Sequence, residues 1–199
     1  IETDSYLDAI QKWMLKRHGW VIEKEWISFS AGVVPALSTI IRAFTNPGDG
    51  VVIQPPIYPP FYEVIVNNGC RTLTNPLKVE KGKYCIDFVD LEEKVSDYRT
   101  KLLILCSPHN PVGRVWTEEE LIRVGQICLE NNVLIVSDEI HSDIVYPGHK
   151  HKPLPSLSHD LSLNSIACIS PSKTFNIAGL QSASVIIPNR NHYDTYFAA

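Results

Sequence analysis

The sequence predicts an α/β domain, a three-layer αβα sandwich around a mainly parallel sheet. Short runs that are apolar on both faces, Val51 to Ile53, Leu102 to Cys106 and Val133 to Val136, read as strands covered from two sides. Segments with apolar residues at three- and four-residue spacing, the helical period, alternate with them. Most of these strands run straight into Pro, Asn, Asp or Ser. That is the pattern of strand–helix units whose ligands gather outside the strands' carboxyl ends.

In chain order, Thr3 to His18 reads as a helix with Thr3 or Asp4 as its cap and Tyr6, Ile10, Trp13 and Met14 on one face. Trp26 to Ser30 alternates like a strand, and Ala31-Gly32 opens a helix from Val33 to Thr45 with Leu37, Ile40, Ile41 and Phe44 in step. Pro35 suits its first turn, where a missing N–H costs no helical bond. The turn Asn46 to Gly50 leads into the strand Val51 to Ile53, a Pro-rich stretch around Tyr58, a helix from Phe61 to Asn68 and a strand from Cys70 to Leu73. A helix from Phe88 to Val95, capped by Asp87, precedes the strand Lys101 to Cys106. Thr117 and Glu120 form a capping box for a helix reaching Glu130. After the strand Val133 to Val136, the segment Gly148 to Asp160 reads as an exposed, irregular connection. Ile166 to Ile169 and Ala183 to Ile187 are the last strands.

The 199 residues, 44% apolar and 20% charged, suffice for one domain spanning 1–199. With 18 basic against 22 acidic residues and no long run of cations, nothing can track a phosphate backbone, so nucleic acid is excluded as a partner. Five scattered cysteines without a Cys-x-x-Cys pair argue against a disulfide framework or a zinc site and for a reducing cytoplasm. His149 and His151 lack the further ligands a metal needs. The apolar runs are too short for a bilayer and no signal-peptide pattern opens the chain, so no membrane partner is expected. The chain enters a helix almost at once and halts at Ala199 without a stop signal, as a piece cut from a longer protein would.

The chemistry centres on Ser170-Pro171-Ser172-Lys173, just past the strand Ile166 to Ile169. A lysine at a buried strand end is expected to be partly desolvated, which favours the neutral, nucleophilic amine. Ser170 and Lys173 also match Ser-x-x-Lys acylases, but that motif's companions are absent. Four other features fall at strand ends. The Val33 and Val34 N–H groups open a helix and form an anion site; Tyr58 is a stiffly held aromatic plate. Asn110 presents an amide between Pro108 and Pro111, and Asp138-Glu139 follows an all-apolar strand, where one carboxylate should meet something cationic. An imine-forming amine, an anion site, an aromatic plate, an amide for a phenolic oxygen and a carboxylate for a ring nitrogen together describe pyridoxal phosphate. Gly-x-Gly-x-x-Gly and the Walker loop are missing, which removes nicotinamide and nucleoside triphosphate readings.

The segments Ser30 to Pro35, Pro56-Ile57-Tyr58, Ser107 to Gly113, Ser137 to His141 and Ser170 to Asn176 resemble, in order and spacing, the large domain of fold-type I pyridoxal-phosphate enzymes. The likeness is strongest to the cystathionine β-lyase group of the class I/II aminotransferase family. It implies that Lys173 bonds the cofactor aldehyde and later moves the substrate α-proton. It further implies Asp138 at the ring nitrogen, Asn110 at the ring oxygen, Tyr58 on the ring, and Val33, Val34, Ser170 and Ser172 at the phosphate. His141 stands where aminotransferases usually carry tyrosine, which favours a carbon–sulfur β-lyase over an aminotransferase; a cofactor-binding regulator is a third possibility of another class. The resemblance also implies an amino-acid substrate, a homodimer, and two regions beyond this chain: an N-terminal segment and a C-terminal small domain that binds the substrate carboxylate.

Overall fold

The computed structural model describes residues 3–199. A seven-stranded sheet runs in the order β1-β9-β8-β7-β6-β2-β3, where β1 is Ile27–Ser30, β2 Gly50–Ile53, β3 Arg71–Thr74, β6 Thr100–Cys106, β7 Leu134–Asp138, β8 Ser165–Ile169 and β9 Ala183–Ile186. Pairs from β3 through β8 are parallel; β9 is antiparallel to both β8 and β1. The central strands β6 and β7 are buried almost throughout, as runs apolar on both faces require.

Helices cover both faces. On one side α2 (Val33–Phe44), α3 (Pro60–Asn67) and α8 (Arg190–Phe197) pack Leu37, Ile40, Phe61, Ile65 and Tyr196 against Ile53, Ile104, Val136 and Val185. On the other, α4 (Phe88–Val95) and α5 (Glu118–Glu130) bring Leu91, Leu121, Val124 and Cys128 onto Val52, Leu103, Leu105 and Ile135. Helix α1 (Asp4–His18) closes that second side farther along, with Met14 over Ala167 and Ile186. Thr3 caps α1, Asp87 caps α4, and the Thr117–Glu120 capping box on α5 is fully formed.

Several expectations need correction. Lys24–Trp26 is a 3-10 turn, so β1 starts at Ile27. A two-stranded hairpin, β4 (Lys78–Glu80) with β5 (Lys83–Cys85), lies outside the main sheet; its exposed, charged strands carry no apolar alternation by which to find them. The segment from Gly148 to Asp160 is not uniformly exposed and irregular. His151 and Leu154 are buried, Leu154–Ser156 is a 3-10 turn, and α6 (His159–Leu163) begins within it behind a Ser158 cap. The chain's end is also helical, because Asn189 caps α8 with its side-chain oxygen.

Candidate functional site

Strand parity explains where the two adjacent carboxylates go. Asp138 ends β7 on the α2 side, in register with Cys106 on β6 and Cys168 on β8, both buried. Glu139 turns toward the α5 side and is fully buried. It accepts from Ser137 Oγ (2.9 Å), His151 Nε2 (2.9 Å) and the Leu154 N–H (3.0 Å). The partners that meet one acid of the pair are therefore His151, Ser137 and the Leu154 N–H, and they serve Glu139.

Asp138 has no such partner. Its Oδ1 accepts the Ile140 N–H at 3.2 Å, and among the described residues no cation comes within 4.0 Å. Burial pushes its carboxyl up to about 7, with the Glu139 charge adding to the rise and the Ile140 N–H and the Lys173 charge working against it. The Lys173 charge also acts on His141, whose imidazole is held below the usual histidine range by burial first and by that charge second. Asp138, His141 and Lys173 thus share one electrostatic neighbourhood. Lys173 itself sits on the short helix α7 (Pro171–Thr174) and is exposed in this chain. The partly buried position expected for it at the strand end is not found, since the residue faces outward from this turn.

The remaining candidates follow the ends of other strands: Val33 and Val34 after β1, Tyr58 after β2, Asn110 after β6 and Ser170 after β8. The Asn110 N–H donates to Cys106 Sγ (3.4 Å), beside the Asp138 register position. Its loop is tied to the Tyr58 loop where His109 Nε2 donates to the Pro56 carbonyl (3.0 Å). Tyr58 is exposed and meets Phe61 edge-on at 5.9 Å. Asn110 and His141 line an open cavity of about 930 Å³; Lys173, Asp138 and Tyr58 are not part of its wall. At the start of α2, Gly32 adopts φ +132° and no side chain caps the helix, which leaves the Val33 and Val34 N–H groups to an outside acceptor. The Ser170 hydroxyl is engaged locally: it accepts from the Ser172 N–H (3.1 Å) and lies 2.7 Å from the Ser182 carbonyl and 2.9 Å from Ser172 Oγ.

This set fits pyridoxal phosphate on two independent counts. A wholly buried carboxylate without a cation is a partner for a protonated ring nitrogen, and an uncapped twelve-residue helix on the same side of the sheet is a partner for a phosphate.

One functional-looking residue, Asp143, and one pairing, Glu139 with His151, escaped the sequence reading. Asp143 gathers Trp13, Arg17, His18 and Thr174. The buried pair Glu139–His151 underlies the strand end. Their spacing along the chain carries no motif, and only the docking of α1 and of the 148–160 segment brings the partners in.

The chain resembles known proteins throughout. Cystathionine β-lyase PatB of Bacillus subtilis is 56% identical over 183 residues, 92% of this chain and 47% of that protein. Kynurenine–oxoglutarate transaminase 3 of Rattus norvegicus is 31% identical over 163 residues, 78% of this chain and 36% of that protein. The PLP-bound C–S lyase from Staphylococcus hominis superposes with a TM-score of 0.95 at 38% identity, over 100% of this chain and 51% of that one. The chain spans about half the length of the curated relatives it matches. Since the pattern of aminotransferase class I and II matches residues 2–195, nearly the whole sequence, the chain belongs to the class I and II aminotransferase family.

Proposed function

We propose that this chain is the cofactor-binding large domain of a pyridoxal-phosphate-dependent carbon–sulfur β-lyase, which releases a thiol, pyruvate and ammonia from a sulfur-containing amino acid. The observation that carries the cofactor reading is Asp138, buried, without a cation within ion-pair range and within the field of Lys173. The 56% identity to a cystathionine β-lyase favours the lyase outcome, as does histidine rather than tyrosine at position 141.

When bound, pyridoxal phosphate supplies an aldehyde that takes up amino groups and a protonated ring that draws electrons from the substrate Cα. Lys173 would hold that aldehyde and, once the substrate amine had taken its place, would accept the proton from Cα. Loss of that proton would let the thiolate leave from Cβ, and water would release pyruvate and ammonia, so no oxidant is consumed. Asp138 would hold the ring nitrogen protonated, Asn110 would bind the ring oxygen and Tyr58 would pack on the ring. The Val33 and Val34 N–H groups, with Ser170 and Ser172, take the phosphate.

The same proton abstraction can end instead in amino-group transfer, and likeness to a kynurenine transaminase supports that second reading. The full-length protein, supplied with cystathionine, is expected to release pyruvate and thiol at a rate abolished by Lys173→Ala. Glutamate formed from 2-oxoglutarate and a donor amino acid, with no pyruvate from cystathionine, would overturn the lyase assignment. A homodimer in the cytoplasm completes the reading; five free cysteines suit a reducing compartment, and sedimentation of the full-length protein tests the dimer.

A further inference from the structure

The four-residue helix that carries Lys173 is poorly held by packing. Phe175 and Leu180 after it are exposed, as is Lys173 itself, and Asn176 takes a left-handed φ of +53°. Behind the turn, between it and α1, lies a cavity of about 300 Å³ lined by Ile10, Met14, Pro171 and Phe175 among others. Its backbone bonds, Phe175 N–H to the Pro171 carbonyl and Ile177 N–H to the Ser172 carbonyl, close within the turn and fix nothing outside it. The Ser170 hydroxyl ties its start to Ser182.

One carboxylate bridges the gap. Asp143 lies in the turn after β7, five residues past Asp138 and two past His141, and its side chain is 8% exposed. Its Oδ2 accepts from Thr174 Oγ1 at 2.8 Å and from Trp13 Nε1 at 3.1 Å. Its Oδ1 lies 3.1 Å from His18 Nε2 and accepts from Arg17 Nε at 3.4 Å. Trp13 in turn meets Phe175 with ring centroids 5.3 Å apart. Among the described residues, the Thr174–Asp143 bond is the only side-chain hydrogen bond joining the lysine turn to the turn that carries His141.

We infer that Asp143 is the positioning residue of this site, setting through Thr174 where Lys173 stands relative to Asp138 and His141, while α1 supplies the rigid back that holds Asp143 itself. Three donors from one fifteen-residue helix fix the carboxylate, and a single hydroxyl passes that placement to the residue next to the lysine. Burial raises the Asp143 carboxyl, yet the hydrogen bonds from His18, Thr174 and Trp13 prevail and hold it down at about 2, so it stays ionised throughout the working pH range. The inference rests on the proposed bonding of the cofactor to Lys173.

The test uses the full-length protein loaded with pyridoxal phosphate and two independent perturbations, Thr174→Val and Asp143→Asn, with Thr174→Ser as the conservative variant. Borohydride reduction followed by peptide mass spectrometry measures how much cofactor is bonded at Lys173 across a range of cofactor concentrations. The pH midpoint of the lysine-bound absorbance band reports the lysine's surroundings. Thr174→Val should lower kcat about tenfold or more with KM within about threefold, since small misplacements of a reacting group cost rate more than binding. It should also move the absorbance midpoint and weaken trapping at Lys173, and Thr174→Ser should restore all three to within about twofold of wild type. Wild-type trapping, midpoint and kcat in either Thr174→Val or Asp143→Asn would overturn the inference and leave the cofactor reading intact. Failure to trap cofactor on Lys173 in the wild type would remove the cofactor reading and this inference with it.

Discussion

Replacing Asp138 by Asn should make the cofactor-free protein more stable at neutral pH. In the unfolded chain this carboxyl gives up its proton near 3.8, whereas in the folded protein burial between Cys106 and Cys168 holds the proton until about 7. Between those values the folded state binds the extra proton, so each rise in pH favours unfolding. Three pH units at about 1.4 kcal/mol each give a loss of about 4 kcal/mol from this one group, an upper figure because water can reach a relaxed site. Asn keeps the acceptor for the Ile140 N–H and carries no charge, so the variant lacks the loss. Urea unfolding of cofactor-free wild type and Asp138→Asn, measured from pH 4 to pH 8, should show nearly equal stabilities at pH 4. The variant's advantage should then grow to about 4 kcal/mol by pH 7 to 8. Saturating pyridoxal phosphate should flatten the wild-type curve, because a ring N–H cation beside the carboxylate favours its charged form. Parallel curves without cofactor would refute the account of Asp138 as a buried acid waiting for a cation.

Three further outcomes follow from other parts of the fold. Gly32→Ala forces a side chain into φ +132° at the open end of α2, so it should cost about 1–3 kcal/mol in thermal unfolding and weaken phosphate-dependent cofactor binding. His151→Ala removes the Nε2 donor from the buried Glu139 and should lower stability by about 2–3 kcal/mol in urea; a change below about 1 kcal/mol would mean that Ser137 and the Leu154 N–H satisfy Glu139 unaided. Ellman's reagent at pH 7.5 should react quickly with Cys85 alone in the native protein and with all five thiols in urea. Cys128, for example, is buried and its thiol is pushed up to about 12 by burial, so its reactive thiolate is scarce.

The sheet was legible in the sequence because its central strands are apolar on both faces. Val51 to Ile53, Leu102 to Cys106 and Val133 to Val136 cannot be anything exposed, and each ends at the residue where polar side chains begin. The hairpin Lys78–Cys85 was not legible, since most of its side chains face water and no periodicity marks them. The His151 region misleads for the opposite reason. Lys150, Lys152 and two prolines, Pro153 and Pro155, make it read as solvent-facing, yet His151 and Leu154 are drawn inward by Glu139, whose two oxygens collect one donor from each. Composition describes what a segment can tolerate; a buried charge elsewhere decided what this one does.

The same limit explains why the pair Asp138-Glu139 could be flagged but not resolved. Two carboxylates after an apolar strand announce that at least one needs a cation, and no rule of spacing says which. Strand alternation assigns them: adjacent residues at a strand end face opposite sides, so Glu139 falls on the α5 side, where His151 arrives from the following loop, and Asp138 falls on the α2 side, where among the described residues no cation comes within ion-pair range. The unmet demand is thereby placed on the side of the sheet that also holds the uncapped end of α2. Satisfying Glu139 internally is what leaves Asp138 as the one acid of the pair available to a ligand, so breaking the Glu139–His151 pair should disturb the cofactor site as well as the fold. His151→Gln, which keeps a donor for Glu139, should retain most of the stability and of the cofactor binding lost in His151→Ala; loss of both in the Gln variant as well would refute this account.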